Sequence, residues 1–265
     1  MKLTKTLSAI ILILAFSVTA LVSCEGGGVP SVTSPLDAAD AALASSAYTA
    51  RVTMLYSSDD PEMADAIGAL GASGITLATD GTSEKLTLHT EAGGLDIVKS
   101  YIATGGTLYH ESTATLGDST VSVKEQTPLA ADSRLMLTLK LGGAAVINTS
   151  DFTTYEVKTG ELSTTVTCTE MKSETKSSLT EVLGASLSAI DASLAIDSAR
   201  LSATITDGRY RQTALTLNMT VTLGENSYSL TLTSITDYDY STAVTITAPS
   251  DTDAYTVKTY DEIVK

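Results

Sequence analysis

The sequence predicts an α+β fold, in which one meandering antiparallel sheet has two or three helices available to cover it. Three observations carry this reading. First, strand-length runs are separated by tight turn signals at Asp80-Gly81, Gly105-Gly106, Gly117-Asp118, Thr159-Gly160, Asp207-Gly208 and Gly224-Glu225-Asn226. Second, Leu215, Leu217, Met219, Val221 and Leu223 alternate with Thr216, Asn218, Thr220 and Thr222. One face of that strand is apolar and the other hydroxyl-rich, as in a sheet covered on one side only. Third, Leu179, Val182, Leu183, Leu187 and Ile190 recur at spacings of three and four, which gives a helix over 174–192 one apolar face.

The elements follow in order. Ser34-Pro35 supplies an N-cap and an N1 proline for an alanine-rich helix over 36–46, LDAADAALASS. A strand over 48–56 follows, and Asp60-Pro61-Glu62 opens a second helix ending near 68–71. Strands are expected over 75–79, 85–91, 95–104, 107–116 and 120–124. In segment 128–141, Leu135, Leu137, Leu139 and Leu141 alternate as in a strand, whereas Leu129, Met136 and Leu139 suit a helical face. A helix is the expectation there. A hairpin of 152–158 and 162–171 leads into helix 174–192, and strands over 199–206, 214–223, 227–235 and 243–247 close the chain before Pro249. This makes roughly ten strands in a single domain spanning 35–265, with no boundary after Ser34.

The N-terminus has the form of a secretion signal. Lys2 and Lys5 precede an apolar run from 7 to 22 that is shorter than the ~20 residues a spanning helix needs. Leu21-Val22-Ser23-Cys24 resembles the lipobox of bacterial lipoproteins. The resemblance implies that residues 1–23 are removed and that Cys24 carries diacylglycerol as the first mature residue. It places the chain outside the cytoplasm, lipid-anchored to the cell membrane. Residues 24–34 then form a flexible Gly/Pro/Ser-rich linker. Loss of the two lysines would take the formal charge from −15 to −17. So acidic a surface argues against nucleic acid and against adsorption to anionic lipid, which leaves the acyl chains to hold the membrane.

Few side chains suggest chemistry. With Cys24 acylated, Cys168 has no disulfide partner, and its alternation with Leu162 and Val166 reads as a small buried hydrophobe on a strand's inner face. Eleven tyrosines, two phenylalanines and no tryptophan imply an aliphatic core. His89 and Glu91 share a strand face and, with His110, offer one conceivable metal set. Nothing in their spacing specifies a site, and exposed strand histidines beside carboxylates are the preferred reading. Asp237 and Asp239, then Asp251 and Asp253, form Asp-x-Asp pairs that do not continue into a calcium loop and read as solvated turn caps. Tyr238, Tyr240 and Tyr255 read as edge-packing residues. No nucleophile elbow, phosphate loop or dinucleotide fingerprint occurs, so no catalytic residue, metal or cofactor is expected.

The lipobox and short linker into a helix, the middle helix after a strand hairpin (166–187), and the ending Asp237-Tyr-Asp-Tyr240 through Val244-Thr-Ile246 to Pro249-Ser-Asp251 together resemble the LolA/LppX-like lipid- and lipoprotein-binding envelope family. The resemblance implies a strongly curved antiparallel sheet, an open half-barrel with helices on its concave face. It also implies a hollow that takes an apolar or amphiphilic ligand. Val182, Leu183, Leu187, Leu215, Leu217, Met219, Val221 and Leu223 are then expected to line it. The alternative is an interaction or structural lipoprotein with a filled core, acting through protein–protein contacts.

Overall fold

The computed structural model describes residues 33–68, 70–129, 149–185, 187 and 191–263. The expected signal segment, Cys24, nearly all of the linker, Ile190 and most of segment 128–141 lie outside the described residues.

Helix α1 (Thr33–Ser45) leads into β1 (Tyr48–Ser57), α2 (Pro61–Gly68), β2 (Leu70–Thr79), β3 (Glu84–Ala92), β4 (Leu95–Thr104), β5 (Thr107–Leu116) and β6 (Ser119–Pro128). A 3₁₀ turn (Thr149–Asp151) then precedes β7 (Phe152–Thr159), β8 (Thr164–Met171), α3 (Ser173–Ala185), β9 (Ala192–Thr206), β10 (Arg209–Leu223) and β11 (Asn226–Asp239). A second 3₁₀ turn (Thr252–Ala254), β12 (Thr256–Val257) and α4 (Tyr260–Ile263) complete the described chain. The protein is thus mostly antiparallel sheet with a few helices, the expected α+β class. Of the described ladders only β12–β6 is parallel.

Two expected elements are corrected. The middle helix stops at Ala185 rather than 192, and β9 begins at Ala192 rather than 199. A turn in which the Leu187 N–H bonds the Gly184 carbonyl (2.9 Å) and Asp191 adopts φ 55° separates them. The alternation of Ala192, Leu194 and Ile196 is out of phase with that of Ala199, Leu201 and Ala203. A bulge explains this: Ser198 pairs with Asn218 and Ile196 with Met219, which leaves Asp197 as the extra residue. Residues 243–247 are irregular rather than a strand: Asp239 caps a turn through the Ser241 N–H and the Thr242 hydroxyl, and beyond it the described residues show no ladder pairing for this segment.

The described chain forms two compact units. The first comprises described residues of 33–43, 54–70 and 149–237, with ladder order β11-β10-β9-β8-β7. Val166, Cys168, Leu194, Ile196, Leu201, Leu215, Leu217, Leu230 and Leu232 form its buried face. Helix α3 packs on β9 and buries Leu179, Leu183 and, just beyond its end, Leu187. The Tyr210 hydroxyl donates to Asp40 Oδ1 (2.6 Å), tying α1 to the β9–β10 hairpin. The Ser229 N–H donates to Asp60 Oδ2 (2.6 Å) and the Tyr228 hydroxyl to Glu62 Oε2 (3.3 Å), tying α2 to β11.

The second unit comprises described residues of 44–53, 71–129 and 238–263, with ladder order β12-β6-β5-β4-β3-β2-β1. Its hairpins turn on Gly93-Gly94 and Gly105-Gly106, where every φ is positive, the region glycine enters without strain.

The core is less purely aliphatic than its composition implied. Tyr48, Tyr101, Tyr210, Tyr228, Tyr238 and Tyr255 are all buried, as is Phe152. Tyrosine serves there because its ring buries apolar area while its hydroxyl finds an acceptor, as with Asp40, Glu62 and Glu111.

Candidate functional site

Of the expected lining residues, Leu183, Leu187, Leu215, Leu217, Met219 and Val221 lie on the buried face of the first unit, each at most 1% exposed. Leu223 is half-buried at the end of β10, and the side chain of Val182 lies outside the described set. Leu217 sits centrally, opposite Ala199 on β9 and Leu232 on β11. Six of the eight expected residues are thus buried in the first unit.

That surface carries a polar spot. Thr213, Ser234 and Thr236 are buried, Thr213 pairs directly with Thr236, and Ser234 pairs with Leu215. Thr213 Oγ1 and Ser234 Oγ are fully buried and have no hydrogen-bond partner among the described residues. A buried hydroxyl without a partner loses its hydration uncompensated, which costs about 1–3 kcal/mol. The sequence held little to signal this, because threonine and serine are ordinary strand residues on either face. Cys168 is buried on the same unit's inner face as expected, and burial pushes its thiol up to about 11, away from the thiolate form.

In the second unit, strand register separates the two histidines. His89 and Glu91 share one face of β3, and Glu91 pairs directly with Asp96 of β4. His89 Nε2 lies 2.9 Å from Asp96 Oδ1 and 3.7 Å from Glu91 Oε1. His110 pairs with Tyr101 and Glu125, and this row occupies the opposite face. The conceivable set of His89, Glu91 and His110 is thus not assembled. Asp96 stands where His110 was considered, because only the Gly93-Gly94 hairpin register places it beside Glu91.

His110 is buried, its ring stacks on Tyr101 (centroids 4.6 Å apart), and its Nδ1 lies 3.1 Å from Glu125 Oε2. Burial lowers its pKa against the opposing pull of Glu125. The neutral ring then donates Nδ1–H to Glu125, and Nε2 is buried with no partner among the described residues. Close to the C-terminus, Lys124 Nζ lies 2.5 Å from Asp251 Oδ2 and 5.5 Å from the Tyr255 ring, and the Tyr255 hydroxyl donates to Glu111. Asp239 caps its turn as expected, accepting from the Ser241 N–H (2.8 Å) and hydroxyl (2.6 Å) and the Thr242 hydroxyl (2.7 Å). Those bonds lower its pKa to about 2. Tyr238 and Tyr240 pack against Tyr48 at 6.0 and 5.6 Å. No described helix is long and apolar enough to cross a membrane.

No protein-family model and no curated protein matches the chain. Among solved structures, the tesB protein of Mycobacterium avium subs paratuberculosis is 10% identical, with 77% of this chain and 83% of that chain covered and a TM-score of 0.12. The CurJ dehydratase, solved as an inactive mutant with a bound compound, is 8% identical, with 78% and 80% covered and a TM-score of 0.13. Similarities this slight carry no argument about fold or function.

Proposed function

We propose that the protein is a membrane-anchored, non-enzymatic envelope lipoprotein that binds an apolar or amphiphilic, lipid-like ligand between the β9–β11 face and α3. The observation that carries this reading is the pair of unpartnered hydroxyls, Thr213 and Ser234, within an otherwise aliphatic surface. A binding site for an amphiphile needs mostly apolar walls with a few polar groups to orient the head. The lipobox adds proximity: acylation of Cys24 would hold this face one short linker from the bilayer. The resemblance to LolA/LppX-like proteins, with their curved sheet and concave hollow, agrees with this reading. The test is saturable binding of a fluorescent fatty-acid analogue, weakened in the near-isosteric double variant Thr213→Val/Ser234→Ala. Absence of saturable binding to the wild-type protein refutes it.

One observation favours a second reading. Six of the expected lining side chains are as inaccessible as an ordinary core, which suits a filled sheet–helix interior and a protein that works through its acidic surface on a partner. Recovery of one stoichiometric partner from envelope extracts, with no lipid in the purified protein, would favour it.

A further inference from the structure

The charged residues of the second unit follow a rule with one exception. Across the β3–β4, β4–β5 and β5–β6 ladders, directly paired ionisable side chains are complementary: Glu111 faces Lys124, and His110 faces Glu125. Glu91 and Asp96 alone put two carboxylates face to face. Like charges directly opposite on a sheet repel and destabilise it. Among the described residues no lysine or arginine pairs with either of them, and their common neighbour is the His89 imidazole.

We propose that His89, Glu91 and Asp96 form a surface site for a divalent first-row transition-metal ion, of the Zn²⁺ or Ni²⁺ class. His89 Nε2 and one oxygen from each carboxylate lie within 4.8 Å of one another. Ligand atoms sharing a tetrahedral metal at roughly 2.0–2.2 Å bonds sit about 3.3–3.6 Å apart. The 2.9 and 3.7 Å separations bracket that spacing, so a small side-chain rotation closes the set around an ion. The backbone need not move. The β3–β4 register is continuous from Glu84↔Ala103 to Ala92↔Leu95, and the Gly93-Gly94 turn holds the carboxylate strands together.

The donor set selects the ion class. An imidazole with two carboxylates suits zinc, nickel or copper, whereas calcium and magnesium prefer all-oxygen shells. All three side chains are substantially exposed, between 39% and 52%, which gives an ion access and leaves the remaining coordination positions to water. Binding replaces the Glu91–Asp96 repulsion with two attractions and requires His89 in its neutral form. The site is separate from the apolar face proposed for the ligand, and neither depends on the other.

The test is calorimetric titration of the untagged protein with Zn²⁺ at neutral pH, followed by Co²⁺ titration observed by proton NMR. The chain has only two histidines, so their ring signals are easily distinguished. The expected result is one saturable equivalent of Zn²⁺, weakened at least tenfold in His89→Ala and in Asp96→Asn and unchanged in His110→Gln. Co²⁺ should shift or broaden the His89 ring signals well before those of His110. Circular dichroism of each variant checks that folding is retained, and the NMR test on the wild-type protein stands without any variant. No saturable Zn²⁺ binding, affinity unchanged in His89→Ala, or a Co²⁺ response centred on His110 overturns the proposal.

Discussion

Truncating Leu217 to alanine separates a ligand-lined interior from a filled one. Leu217 is wholly buried at the middle of β10, between Ala199 and Leu232. Leu→Ala in a closed core costs the lost transfer free energy plus a cavity term, and the total spans about 2.7–5.0 kcal/mol according to how well the site collapses. Where the side chain borders space that already holds an apolar ligand, little new void forms and the transfer term of about 2–3 kcal/mol dominates. The account therefore places Leu217→Ala at the lower end, about 2–3 kcal/mol, with altered affinity for the fatty-acid analogue. Urea denaturation of delipidated wild type and variant gives the difference, and probe titration gives the affinity. A cost of about 5 kcal/mol with unchanged probe binding would refute the reasoning, because it is the signature of a closed core.

Other features give sharper but narrower expectations. Because burial holds the His110 pKa below its ordinary 6.5, the unfolded chain binds more protons than the folded one between those two values. Stability should therefore rise as pH climbs through that window to 6.5, and His110→Gln should flatten the rise in urea midpoint; an unchanged pH profile in the variant contradicts it. Tyr210→Phe removes the hydroxyl bond to Asp40 and should cost about 1–2 kcal/mol. For a chain of this size each kcal/mol lowers the thermal midpoint by about 2–4 °C, and calorimetry showing no drop would mean that the bond does not anchor α1. Cys168, buried and with its thiol pushed up to about 11, should resist a thiol reagent at mildly alkaline pH until guanidinium unfolds the chain. Prompt reaction of the native protein would contradict its placement.

Much of this architecture was legible in turn chemistry and periodicity. Gly105-Gly106 fixed the β4–β5 hairpin to the residue, since two residues at positive φ admit little else. The clean alternation of 215–223 identified both faces of β10. The start of β9 was hidden because the Asp197 bulge breaks strand parity, and parity is what a sequence reader counts. The last strand, over 243–247, is misplaced because alternation makes a strand only where a neighbouring edge pairs with it, and among the described residues no ladder forms there. The buried tyrosines were invisible for a related reason: their acceptors, Asp40, Glu62 and Glu111, are remote in sequence. For the site, the alternation of 215–221 is legible as a buried strand face, but neither the orphaned hydroxyls nor the Glu91–Asp96 apposition can be seen before register is known.

The most direct test of the ligand-binding account is mass spectrometry of the organic extract from protein purified out of its own membrane, with the Cys24 anchor removed by proteolysis in the linker. The account predicts a non-covalent amphiphile in near-stoichiometric amount, displaced by the fatty-acid analogue and depleted in the Thr213→Val/Ser234→Ala variant. An extract free of lipid, from folded protein that also fails to bind the analogue, would contradict it.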